Sequence, residues 1–158
     1  MKQGSTLFLR ISIFFIAIPV ITLCILGLPW LANNPVNPDY AYMLYPICIG
    51  MYLSVIPFFI ALYQSFKLLN YIDNNQGFSE LSVKALNNIK ICAIIISALY
   101  VTIMPFVYLL ADLDDAPGLI IIGIVPAFAS MVISVFTAVL QKLFRNAIDI
   151  KSENDLTI

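Results

Sequence analysis

Three groups of residues have types and spacing that could do chemistry. Asp112, Asp114 and Asp115 are crowded together, and carboxylate oxygens so placed suit Ca²⁺ or attract a cationic peptide. The plainer reading is helix capping and an acidic bias on one side of a membrane. The second group is the polar segment 70–90, where Asp73, Phe78, Ser79, Glu80 and Lys84 offer a surface for a partner protein. Its plainer reading is an ordinary solvated helical hairpin. The third is the tail, where Glu153, Asn154, Asp155, Leu156 and Ile158 turn from polar to apolar. Such an end could enter a partner's groove or add a strand to it, or it is a disordered terminus.

Enzyme chemistry is missing. There is no histidine, so the commonest general base and metal ligand is absent. No phosphate-binding glycine loop, nucleophile–base set or HExxH is found. The reading is therefore of a non-enzyme with no catalytic residue and no cofactor, with the outer acids as the metal candidates. Cys24, Cys48 and Cys92 are odd in number and form no CxxC, which points to packing rather than to disulfides or zinc.

The elements that must position these groups are apolar. Of the 158 residues 61% are hydrophobic and 11% charged, against about 45–50% hydrophobic in a soluble domain. The mean hydropathy is +0.97. Charge-free runs cover 11–38, 40–66, 91–111 and 116–141, and about 20 apolar residues suffice to cross a bilayer as a helix. We therefore read a single all-α domain over 1–158, an integral membrane four-helix bundle. Its spans are placed at about 11–31, 42–65, 91–111 and 118–141, with a loop at 66–90 and a tail at 142–158.

Charge orients the spans. All 8 Lys and Arg fall in the N-terminal arm, the middle loop and the tail, whereas Asp39, Asp112, Asp114 and Asp115 mark the other side. The positive-inside rule then puts both termini and the middle loop on the cytoplasmic side. Trp30, Tyr40, Tyr42 and Tyr45 suit an outer aromatic belt. Lys2 and Arg10 read as an inside anchor, because the run behind them is too long for a cleaved leader. No ionisable side chain lies inside a span, which argues against proton-coupled transporters, voltage sensors and pumps.

Both outer connections are short. Asn33-Asn34-Pro35-Val36-Asn37-Pro38 cannot continue a helix, and around Pro117 a tighter turn offers Asp115 as an N-cap. On the loop side the helical pattern persists past Lys67 to a turn at Asp73-Asn74-Asn75-Gln76-Gly77, where Gly77 is the candidate C-cap. Ser79 then caps the next helix, Glu80 faces its positive end, and Phe78 can staple one turn in. Helices 2 and 3 should each run about 30 residues and extend as a cytoplasmic hairpin. Pro19, Pro29, Pro46, Pro57, Pro105 and Pro126 imply kinks. Ala93 and Ser97, with Ser130, Ser134 and Ala138, allow close helix approach.

Several stretches carry a resemblance. Asn70-Tyr71-Ile72-Asp73-Asn74-Asn75-Gln76-Gly77-Phe78-Ser79, Ser82-Val83-Lys84-Ala85-Leu86, the turn Asp114-Asp115-Ala116-Pro117-Gly118, Val135-Phe136 with Val139-Leu140, and the last eight residues from Lys151 together resemble the YoaS-like family. These are small bacterial four-span membrane proteins, classed as a domain of unknown function. The resemblance implies an inner-membrane protein whose gene often neighbours one for a small Cro/CI-like helix-turn-helix regulator. The expected function is thus a membrane regulator or sensor that binds that transcription factor through 70–90 and the tail, without touching nucleic acid itself. Membrane lipids and a second copy are the other expected partners. The alternatives are an oligomer handling a lipid, peptide or small molecule in export, immunity or stress, or a structural subunit of a membrane complex. A solute handler would need a polar cavity, for which Gln64, Asn70, Thr102, Ser130 and Ser134 are the candidates.

Overall fold

A computed structural model describes residues 2–33, 41–113, 115 and 117–156. The elements are helical throughout: α1 (Lys2–Thr22), a π-helical segment (Leu23–Gly27), α2 (Leu28–Asn33), α3 (Ala41–Asp73), α4 (Glu80–Leu113) and α5 (Gly118–Leu156). Four helices, Leu7–Gly27, Leu44–Asp73, Glu80–Leu113 and Gly118–Leu156, are long and apolar enough to cross a membrane. Residues 34–40, which contain most of the first outer connection with Asp39 and Tyr40, lie outside the described residues, as do Asp114 and Ile158.

The helices pack as a row. α4 lies between α3 and α5, and α1 packs chiefly along α3. α3 and α4 close on Leu44, Ile47, Cys48, Ile103, Val107 and Leu110. Lipid gives no hydrophobic drive for helix pairing, so close fit and hydrogen bonds must supply it. A Cβ on Gly50 would overlap Ile103, and one on Gly123 would overlap Met104. α4 and α5 join where Ala93, Ser97, Ser130 and Ser134 are buried, and the Ser97 hydroxyl donates to the Ala127 carbonyl at 3.1 Å. The small residues therefore serve packing within the chain. The free cysteines fit that role too: Cys48 and Cys92 are buried and Cys24 partly so.

The prolines act unevenly. α3, α4 and α5 run unbroken through Pro46, Pro57, Pro105 and Pro126. Only α1 changes character, and it becomes π-helical one turn after Pro19. A π turn shifts the backbone register and leaves carbonyls poorly paired. Tyr52 of α3 donates its hydroxyl to one of them, Cys24 O, at 2.8 Å.

Lengths decide what stands outside the bilayer. α3, α4 and α5 have 33, 34 and 39 residues, which is about 50 to 58 Å at 1.5 Å per residue, against a hydrocarbon core of about 30 Å. The surplus lies at the 74–79 end, because every charged residue of the three helices except Asp112 clusters there. We call this the loop end. The tail corrects one expectation: α5 stays helical through Leu156, so 151–156 is neither disordered nor a strand to be added to a partner's sheet.

Candidate functional site

The loop end is built around one tight reversal. α3 stops after Asp73, and Asn75 adopts the left-handed conformation at φ 60°. Gln76 N–H donates to Tyr71 O at 2.7 Å, and Asn75 N–H to Ile72 O at 3.2 Å. This 6→1, 5→2 pair is a Schellman motif with asparagine at its left-handed position. Gly77 was the expected cap, but it has no positive φ. It packs against Ile72, whose Cγ1 would lie 3.4 Å from an added Cβ.

The next helix starts as its sequence implies. Ser79 is the N-cap: its Oγ accepts from Ser82 N–H at 3.4 Å, and its carbonyl accepts from Val83 N–H at 3.2 Å. Its hydroxyl also donates to Gln76 O at 2.6 Å, where the Ser82 hydroxyl donates as well at 2.9 Å. Ser82 is completely enclosed, so one carbonyl and two serines weld the turn to the first turn of α4.

Side chains from the other helices converge here. Arg10 of α1 donates through Nη2 to Asp73 Oδ2 at 2.7 Å and also to Asn70 Oδ1. Its guanidinium lies over the Phe66 ring at 5.2 Å, and Phe14 meets that ring edge-on at 6.3 Å. On the far side, Arg145 of α5 pairs with Glu80 at 2.5 Å. Both members of that pair are well exposed, which holds its stabilisation to about 0–1 kcal/mol. Lys90, Gln141 and Asn87 form a hydrogen-bonded chain between α4 and α5.

Phe78 departs from the staple pattern: its ring stands edge-to-face on Phe144 of α5, 5.1 Å between centroids. The long α5 offers an aromatic partner that a local pairing within α4 could not match. The two rings border an open groove of about 380 Å³, lined also by Ile72, Asn75, Gly77 and Lys151. Lys151 is the one ionisable residue in that lining. The groove is shaped for an apolar side chain flanked by a carboxylate.

Of the residues expected to bind a partner, Asp73, Phe78, Ser79 and Glu80 are brought together in this assembly. Lys84 is exposed on α4 nearby. Glu153, Asn154, Asp155 and Leu156 form the exposed last turns of α5, with Leu156 83% exposed. Asn70, Gln76 and Ser82 fall in the expected docking segment 70–90 without having been singled out for this site, whereas Arg10, Phe144 and Arg145 were missed. Arg10 had a signal, as a guanidinium near the start of an otherwise apolar helix; Phe144 had one too, as an aromatic beyond the expected end of its span.

The outer turn is simpler. Asp112 and Asp115 border a shallow pocket of about 170 Å³ with Tyr108, Ala111, Pro117 and Ile120. Asp115 is left-handed at φ 51° and lies three residues before α5, so it does not cap that helix. Pro117 takes the flanking position, and its carbonyl accepts from Ile120 N–H at 3.2 Å. No group of three potential metal ligands forms among the described residues. The polar candidates for a cavity are dispersed as well. Asn70 belongs to the Arg10 contact, Thr102 bonds back to Ala98 O of its own helix, and Ser130 and Ser134 are buried in the α4–α5 seam.

A family model described as a protein of unknown function (DUF2975) matches residues 30–158. The uncharacterized membrane protein YoaS of Bacillus subtilis (strain 168) is 56% identical over 160 residues, a match that spans both chains in full. No solved structure matches.

Proposed function

The chain belongs to the DUF2975 family of proteins of unknown function, and from that premise we propose that it is a non-enzymatic membrane regulator that docks a small cytoplasmic helix-turn-helix DNA-binding protein at its loop end. One observation carries this reading. The helices overrun the bilayer at the end where the groove between Phe78 and Phe144 opens. Phe78, Leu81, Leu143, Ile150 and Leu156 are exposed there, among Lys84, Arg145, Asp149 and Lys151. Apolar surface beyond the hydrocarbon and rimmed by charge is the mark of a protein-binding site. A small all-helical partner can offer an amphipathic helix to such a groove.

The positive-inside rule supports a cytoplasmic loop end, since the Lys and Arg lie on that side. Regulation then requires two states of the membrane protein with different affinity for the partner. The test is capture of the tagged full-length protein from its native host in mild detergent, with mass spectrometry of what accompanies it. Recovery of a small helix-turn-helix protein, lost in Phe78→Asp and on removing 151–158, supports the proposal. Recovery of no such protein, or recovery indifferent to both changes, sinks it.

A further inference from the structure

The first helix is attached to the rest in an unusual way. None of its membrane-spanning stretch is buried, and it packs chiefly along α3. Phe8 and Phe15, for example, are 70% and 76% exposed. The family match begins at residue 30, beyond α1. Among the described residues, two polar ties join it to α3. One is the bond from Tyr52 to Cys24 O at the π segment; the other is Arg10 with Asp73 and Asn70.

The ties differ in what could replace them. Cys24 O lies in the apolar part of the chain, where lipid offers no donor, so its bond to Tyr52 has no substitute. Asp73 is the last residue of α3, and Arg10, two turns into α1, meets it at the loop end, where water and headgroups compete for both charges. Their pairing is also incomplete. One guanidinium nitrogen reaches both acceptors, while Arg10 Nε and Asp73 Oδ1 are buried with no partner. A bidentate pair would engage Nε and Oδ1 as well and is the stronger form; this contact runs through a single nitrogen.

We propose that α1 is a releasable helix: the Arg10–Asp73–Asn70 contact is a latch at the loop end, and the π segment tied to Tyr52 is the pivot about which α1 swings. The latch closes on Asp73, the last residue of α3, next to Ile72 and two residues from Asn75, which both line the groove. Opening it frees the end of α3 that sets the groove's wall. The inference does not depend on what docks there.

The experiment uses spin-label distances in the full-length protein, with Cys24, Cys48 and Cys92 replaced by alanine, in phosphatidylethanolamine–phosphatidylglycerol vesicles. One label pair, Ile11→Cys with Asn74→Cys, spans the latch. A second, Ile21→Cys with Ile56→Cys, lies beside the pivot, and a third, Leu81→Cys with Ile150→Cys, reports on α4 and α5. Arg10→Ala and Asp73→Ala should each raise the population of a longer latch distance about fivefold or more, with the other two distances unchanged. The exchange Arg10→Asp with Asp73→Arg should restore the short distance. A latch distance indifferent to both single variants would overturn the proposal. So would pivot and latch pairs lengthening together, because α1 would then leave as a whole.

Discussion

The turn at 74–79 and the turn around Asp115 each reverse the chain between two long helices, and each uses one non-glycine residue in the left-handed region, Asn75 at φ 60° and Asp115 at φ 51°. Beyond that they share little. The first is closed by two Schellman bonds, an N-cap and two serine hydroxyls on one carbonyl. It is flanked by both ion pairs found among the described residues. Among the described residues, which leave out Asp114 and Ala116, the second shows a backbone bond from Ile120 N–H to Pro117 O and a glycine, Gly118, beside open space. The additional bonds at the loop end hold a surface in one shape, and that surface is the one we assign to a partner.

The strongest way to break this contrast is to overfill the enclosed serine. Ser82→Leu should cost about 2 kcal/mol or more, the scale of overpacking at a closed site, whereas Gly118→Ala should stay within about 0.5 kcal/mol. Thermal midpoints of the purified protein in detergent would show the difference. A smaller effect is expected on binding. Phe144→Ala removes one wall of the groove and should cut partner capture about tenfold, as an interface anchor does. Asp112→Asn with Asp115→Asn should leave capture as it is.

The left-handed residues sharpen the contrast further. Asn75→Val and Asp115→Val should each cost about 1–2 kcal/mol, because a branched side chain is strained there. Asn75→Val should be the worse, since the Schellman bonds depend on that conformation, and glycine at either position should restore stability. The smallest change concerns the exposed pair. Glu80→Gln should shift stability by less than about 1 kcal/mol, and that shift should fade as salt is raised.

Much of the fold was legible because a membrane imposes plain rules. Four charge-free runs gave four spans, and the helical period past Lys67 foretold the projecting hairpin of α3 and α4. The end of α5 was hidden, since Lys151-Ser152-Glu153-Asn154-Asp155-Leu156 has no apolar period; its helix continues from the turns before it and is steadied where Phe144 meets Phe78. At the first turn Gly77 was the expected left-handed residue. Glycine is the usual choice, but α3 ends at Asp73, and that register falls on Asn75. The partner of Arg10 could not be read, because Asp73 is 63 residues away. Nor could the row of helices, which depends on how Gly50 and Gly123 let α3 and α5 approach α4.

The most direct test places a photocrosslinking amino acid at one exposed leucine in each region, Leu81 beside the loop-end groove and Leu113 beside the outer turn, and irradiates living cells of the native host. Our account predicts an adduct with a small helix-turn-helix protein from Leu81 and none from Leu113. No such adduct from Leu81, or equal adducts from both, would contradict it.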